Sequence, residues 1–116
     1  MATLNIKSLG TLNGTSTGKV LTTSSQDIIT TSTGTVNKLN HLMVTNITGS
    51  SANVTVGVYD SVSATTVYFL YTTAVPSYAA IDVLNKSFYL KEGDKIVATA
   101  SANATLHLTA SWEALA

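Results

Sequence analysis

Few residues in this 116-residue chain are of types that could do chemistry, and their spacing decides what is open to them. Gly14-Thr15-Ser16-Thr17-Gly18 spells the G-x-S-x-G pattern of a nucleophile elbow. That pattern activates a serine only where a strand turns sharply into a helix. Here a β-like segment follows, so the motif is read as part of a polar loop. Gly18-Lys19 is no phosphate loop either: Asn13 stands where the first glycine is required, and Val20 replaces the hydroxyl residue that binds magnesium. His41 and His107 are the two histidines, and no His-x-His or His-x-x-x-His spacing is present to seed a zinc site. The acids Asp27, Asp60, Asp82, Glu92, Asp94 and Glu113 are scattered, mostly beside turns. Asp94 is expected to cap the turn at Gly93, as aspartates do by bonding nearby backbone amides. The reading is of a non-enzyme, with no catalytic, cofactor-binding or metal-ligating residue assigned and no cofactor.

Tyr68, Tyr71, Tyr78, Tyr89 and Trp112 could form a stacking platform for bases or sugars. Their placement within alternating strands predicts that most are core or interface residues instead. All six basic residues are lysines, dispersed and balanced by six acids, which argues against nucleic acid as a partner. Five N-x-[ST] sequons (Asn13, Asn46, Asn53, Asn85 and Asn103) are what an Asn- and Thr-rich sequence produces by accident.

Composition sets the wider bounds. Charged residues are only 10% of the chain against about 25% in an ordinary domain, hydrophobic residues are 45%, and the formal net charge is zero. Thr and Ser fill much of the deficit, at roughly a quarter of the residues. So little charge leaves a free monomer poorly protected against self-association. The expectation is that other protein covers part of the surface, the alternative being a soluble monomer with a Thr-rich coat. The length suits one domain, residues 1–116, large enough for a core without disulfides, and there is no cysteine. No signal-peptide layout and no apolar run of about 20 residues is present, so the expected setting is the cytoplasm of the producing cell, not a membrane.

The elements that must position these residues alternate with period two, as half-buried strands do. Leu4, Ile6 and Leu9 open a short strand, and residues 1–9 read as an N-terminal arm or edge strand. Gly10–Gly18 is expected to be a loop, followed by a strand over residues 19–23 and another over Asp27–Thr31. Leu39–Ile47 and Val54–Tyr59 read as one hairpin. Thr66–Tyr71 reads as a strand, residues 72–76 as a crossing connection, and Tyr78–Leu84 as a further strand. The stretch from Ser87 to Trp112 reads as a C-terminal hairpin closing an edge, with Leu106, Leu108, Ala110 and Trp112 on one face. Gly57 inside a strand signals a bulge or a close approach of another backbone. Eight or nine short strands with turn residues between them, and no helical periodicity, predict an all-β antiparallel β-sandwich or jelly-roll-like fold.

Several of these segments resemble small β-sandwich virion structural proteins of tailed bacteriophages. They are Val20-Leu21-Thr22-Thr23, Leu42-Met43-Val44-Thr45-Asn46 with Gly49-Ser50-Ser51, Val54-Thr55-Val56-Gly57-Val58-Tyr59-Asp60, Leu90-Lys91-Glu92-Gly93-Asp94-Lys95-Ile96 and Ala110-Ser111-Trp112-Glu113. The likeness lies in hydrophobic pattern and turn residues and covers most of the chain. Such chains often carry a Pro-Ala-Gly-type turn where this one has Thr31-Ser32-Thr33-Gly34. The resemblance implies a non-enzymatic virion protein, foremost a capsid decoration (cement) protein that binds the outer shell and bridges capsomers. Its partner would then be the major capsid protein, and it would form a homo-oligomer, a trimer matching local three-fold positions. A tail, baseplate or fibre-associated protein is the alternative within that class. A glycan-binding module using Tyr68, Tyr71 or Trp112 is the alternative outside it.

Overall fold

In a computed structural model the described residues are Gly10 and residues 12–116, so the predicted arm at residues 1–9 lies outside them. Nine strands are described: β1 (Leu12–Val20), β2 (Gln26–Thr30), β3 (Val36–Asn46), β4 (Ala52–Asp60), β5 (Thr65–Val75), β6 (Ala80–Asp82), β7 (Phe88–Leu90), β8 (Lys95–Ala100) and β9 (Leu106–Leu115). They form two antiparallel sheets. One runs β1-β9-β3-β6, with β7 also paired to β3, and the other runs β2-β8-β4-β5. No helix occurs among the described residues. The all-β sandwich is as expected, and its strand order, with the chain passing repeatedly between sheets, is that of a jelly roll.

The core lies between the sheets and is built by the period-two pattern. Leu39, Leu42 and Val44 of β3 and Leu106 and Leu108 of β9 meet Val54 and Val56 of β4 and Ile96 of β8, all essentially inaccessible to solvent. Each such side chain contributes about 1.5–3 kcal/mol when fully removed from water. Trp112 turns to this side and packs against the cluster, half-buried. The faces assigned to Leu106 through Trp112 are therefore correct.

The pairings are not. The C-terminal pair is no hairpin: β8 is central in one sheet, between β2 and β4, and β9 is central in the other, between β1 and β3. Likewise β3 and β4 belong to different sheets. Among the described residues, β4 and β5 are the sole strands adjacent in sequence that pair with each other. The physical reason is one of reach. Facing sheets stand about 10 Å apart, and each extended residue spans about 3.3 Å. The loops after β3 and β8 are thus long enough to cross the sandwich, and a short polar loop between alternating runs fits either path.

Strand boundaries also differ, the strand expected over Tyr78–Leu84 among them, which is reduced to Ala80–Asp82. Residues 12–18, expected as a loop, are the body of β1, whose ladder with β9 runs from Leu12 opposite Leu115 to Val20 opposite His107. The strand expected over residues 19–23 ends at Val20. The poor strand preference of Gly, Ser and Asn is overridden because β9 supplies the hydrogen-bonding partner. Leu21 then leaves the strand and drops into the core, its N–H donating to Leu106 O at 2.9 Å. Residues 72–75, expected as a connection, continue β5 as far as Val75.

Turn chemistry is largely as expected. Gly34 and Gly93 have φ of 79° and 85°, which glycine adopts without a Cβ clash. The Asp94 carboxylate, however, reaches across the fold. It accepts from Ser61 N at 3.2 Å and Ser61 Oγ at 3.3 Å, pinning the β4–β5 turn.

Candidate functional site

The residues that could do chemistry are not brought together. Ser16 of the G-x-S-x-G pattern sits mid-strand in β1, opposite Ser111 of β9, with no strand-to-helix elbow. His41 and His107 both lie on the outer face of the β1-β9-β3 sheet. His41 is opposite Ser111 and His107 opposite Thr45, four positions apart along β9. His41 Nε2 instead meets Thr109 Oγ1 at 3.0 Å. Among the described residues no group of three His, Asp or Glu side chains could hold a metal ion. Asp27 pairs with Lys95 at 3.3 Å on the surface, and Glu113 Oε1 accepts from Asn40 Nδ2 at 2.9 Å. An open groove of about 150 Å³ beside β1 and β9 is lined by Gly18, Lys19, Val20, His107, Leu108 and Thr109, a set with no acid to partner the histidine.

Of the aromatic residues expected in the core or in an interface, Tyr68, Tyr71, Tyr78 and Tyr89 are exposed in the single chain and Trp112 is turned inward. The proposed use of Trp112 on an exposed face is therefore corrected. Tyr89 lies on β7 opposite Lys38. Tyr78 lies in the loop before β6, where its N–H donates to Thr48 O at 3.1 Å.

What the molecule does present is open strand edge. β1 is exposed along eight of its nine residues, with Thr17 half-buried. Its register places Asn13, Thr15, Thr17 and Lys19 on the inner face, opposite Ala114, Trp112, Ala110 and Leu108. These side chains would enter the core if the second sheet extended beneath them, yet they remain open to solvent. So β1 overhangs the sandwich, attached through one ladder. Its other edge carries no partner strand among the described residues. The ladder to β9 has no register shift, whereas those of β2 and β5 are both shifted. The remaining edge is broken into the three-residue β6 and β7. Bulges, interruptions and charges are the usual guards of an edge. Along β1 the sole charge is Lys19, next to its end.

The β1 edge was missed in the sequence because its Gly-Thr-Ser run carries no apolar alternation. The available signal was the absence of charge and proline over residues 10–18.

The fold and its edges define an antiparallel β-sandwich of jelly-roll order with one long unguarded strand. No protein-family model matches the chain, and no curated protein matches it. Among solved structures it is similar to a chain from Bacillus endospore appendages, described as a family of disulfide-linked pili. The TM-score is 0.57 and the identity 13%, covering 99% of this chain and 96% of that one. At that identity the likeness is one of fold.

Proposed function

We propose that this chain is a non-enzymatic structural subunit that works in many copies, joined to its neighbours through exposed strand edges. The observation that carries the reading is β1: nine residues in unbroken register, open on both faces, nearly free of charge and, among the described residues, unpartnered on one side. An edge of that kind offers a row of unsatisfied N–H and C=O groups to a further strand. The low charge of the whole chain removes the repulsion that keeps monomers apart. The fold it shares with a pilus subunit adds support.

Symmetry separates the settings in which such a subunit would serve. A β1 edge meeting β1 of a second copy is self-complementary and closes as a dimer. A β1 edge meeting a different edge is heterologous, closing into a ring or growing without end. Open growth is the form of a filament. A closed trimer on a shell, with the major capsid protein as partner, is the form of the phage decoration protein that the sequence resembles.

The test is sedimentation of the purified chain over a concentration series, beside Thr15→Lys with Ser16→Lys, which places charge on both faces of the exposed strand. The parent is expected to assemble and the variant to stay monomeric with an unchanged circular dichroism spectrum. A parent that remains monomeric at about 1 mM, weaker than about 4 kcal/mol of association, sinks the proposal. So does a folded variant that assembles equally well.

A further inference from the structure

We propose that Tyr68 and Tyr71, on the outer face of the β2-β8-β4-β5 sheet, form a binding platform for a neutral glycan. The inference is independent of assembly through β1. Tyr68 lies opposite Gly57 in the β4–β5 ladder. Its ring rests on the bare backbone of that glycine: a Cβ there would stand 2.9 Å from both Tyr68 Cδ1 and Val67 O. Gly57 is thus buried where Thr55 and Tyr59, its neighbours on the same face, are half-buried. Glycine at this point is what allows the ring to lie against the sheet, and the register shift between Val56 and Gly57 marks the same spot.

Tyr71 stands edge-on to Tyr68, with ring centroids 4.9 Å apart and planes inclined at 64°. The residue after it, Thr72, has φ of 48°. A β-branched side chain in the left-handed region is a true outlier, costing of order 1–3 kcal/mol. It is held by a hydrogen bond from Thr72 N to Thr55 Oγ1 at 3.0 Å. The strain re-aims the strand where Tyr71 joins the pair. Tyr71 remains 69% exposed and Tyr68 48% exposed, so both rings keep much of their surface open.

The chemistry of the surroundings selects the ligand. Thr55 is opposite Thr99, and Val97 is opposite Gly57, so the two rings, set edge to face, stand beside one valine with threonine hydroxyls along the rim. The nearest cation in the adjoining register, Lys95, faces Tyr59 at 5.6 Å from its ring centroid and pairs with Asp27. Among the described residues no free positive charge beside the rings is offered to a phosphate or carboxylate, and the aliphatic surface in the adjoining register is that of Val97, itself half-buried. An aromatic face presents negative π density to weakly positive C–H groups, while Tyr and Thr hydroxyls remain available at the wet rim. A pyranose, with one C–H face and a girdle of hydroxyls, matches both.

The test is a titration of the ¹³C-tyrosine-labelled full chain with maltohexaose, cellohexaose and chitohexaose, each to about 10 mM, which detects dissociation constants near 1 mM. With at least one of the three, the ring resonances of Tyr68 and Tyr71 are expected to shift saturably while those of Tyr78 and Tyr89 stay still. Tyr71→Ala is expected to weaken that binding about tenfold, or about 1.4 kcal/mol, without changing the fold. Absence of a saturable shift with all three sugars overturns the proposal. So does equal shifting of all four tyrosines, or unchanged binding by Tyr71→Ala. Concentration-dependent broadening of the Tyr68 and Tyr71 signals without sugar assigns the platform to a second copy of the chain and overturns it as well.

Discussion

Asn46 does more for this fold than any residue its sequence advertises. It ends β3 almost wholly buried, and one amide makes four hydrogen bonds. Nδ2 donates to Ser50 O at 2.8 Å and Val75 O at 3.0 Å. Oδ1 accepts from Thr48 N at 2.9 Å and Thr48 Oγ1 at 2.8 Å. The side chain thereby ties the end of one sheet to the crossing loop and to the end of β5 in the other sheet. Asn46→Ala strands Val75 O, a buried group whose loss of a partner costs about 1–3 kcal/mol, and removes the bonds of the part-buried Thr48 donors. The expected loss is about 3 kcal/mol, read as a lower urea midpoint at unchanged slope. Asn46→Asp is expected to do no better, since a carboxylate cannot donate to two carbonyls. A loss under about 1 kcal/mol for the alanine variant would show that water replaces these bonds. In the sequence Asn46 reads as a sequon near the end of the strand expected over Leu39–Ile47. The Asn-x-Thr-Gly-Ser run does announce a side-chain-bonded turn, but nothing local announces that Val75, 29 residues away, shares it.

At the scale of elements, what was legible is what a single strand knows about itself. The inward faces of β3, β4, β8 and β9 follow from alternation, and Gly93 and Gly34 follow from turn chemistry. Pairing was not legible, because the partner of β8 is β4 and the partner of β9 is β3, chosen by a core that exists only after both sheets meet. Strand β1 is the extreme case: its sequence reads as loop, and its strand state is conferred almost wholly by β9. That dependence has a measurable consequence. A strand exposed on both faces and paired on one side opens at low free energy, whereas central strands exchange only on global unfolding. In dilute protein the β1 amides bonded to β9 are therefore expected to exchange hydrogen at least about 100-fold faster than those joining β9 to β3. On assembly through the free edge, protection of β1 should rise while that of β9 changes little. Equal protection of β1 and β9 in the monomer would remove the ground for treating β1 as an available edge.

At the scale of the whole molecule, the strand order sets how the chain must fold. Apart from the β4–β5 hairpin, every described pairing joins strands distant in sequence: β1 with β9, β2 with β8, β3 with β6, β7 and β9, and β4 with β8. Loop-closure entropy for these pairings is lost before the core they build can offset it, so sandwiches of this kind fold in milliseconds to seconds. The β4–β5 hairpin is the one element that can form early from local contacts. Stopped-flow refolding is accordingly expected to give a relaxation between about 10 ms and several seconds, despite a chain of only 116 residues. Destabilising the Val58–Val67 rung by Val58→Ala should slow folding if the hairpin nucleates the second sheet, and should only hasten unfolding if it does not. Refolding within microseconds would mean that a path richer in local contacts exists than the strand order allows. The same slowness bears on assembly. A chain whose open strand edge waits on distant partners exposes that edge longest in the unfolded and half-folded states, where its lack of charge protects it least. In the proposed assembly, chains that fold before they meet join at native edges, and raising protein concentration during refolding should then increase misassembled aggregate at the expense of ordered oligomer.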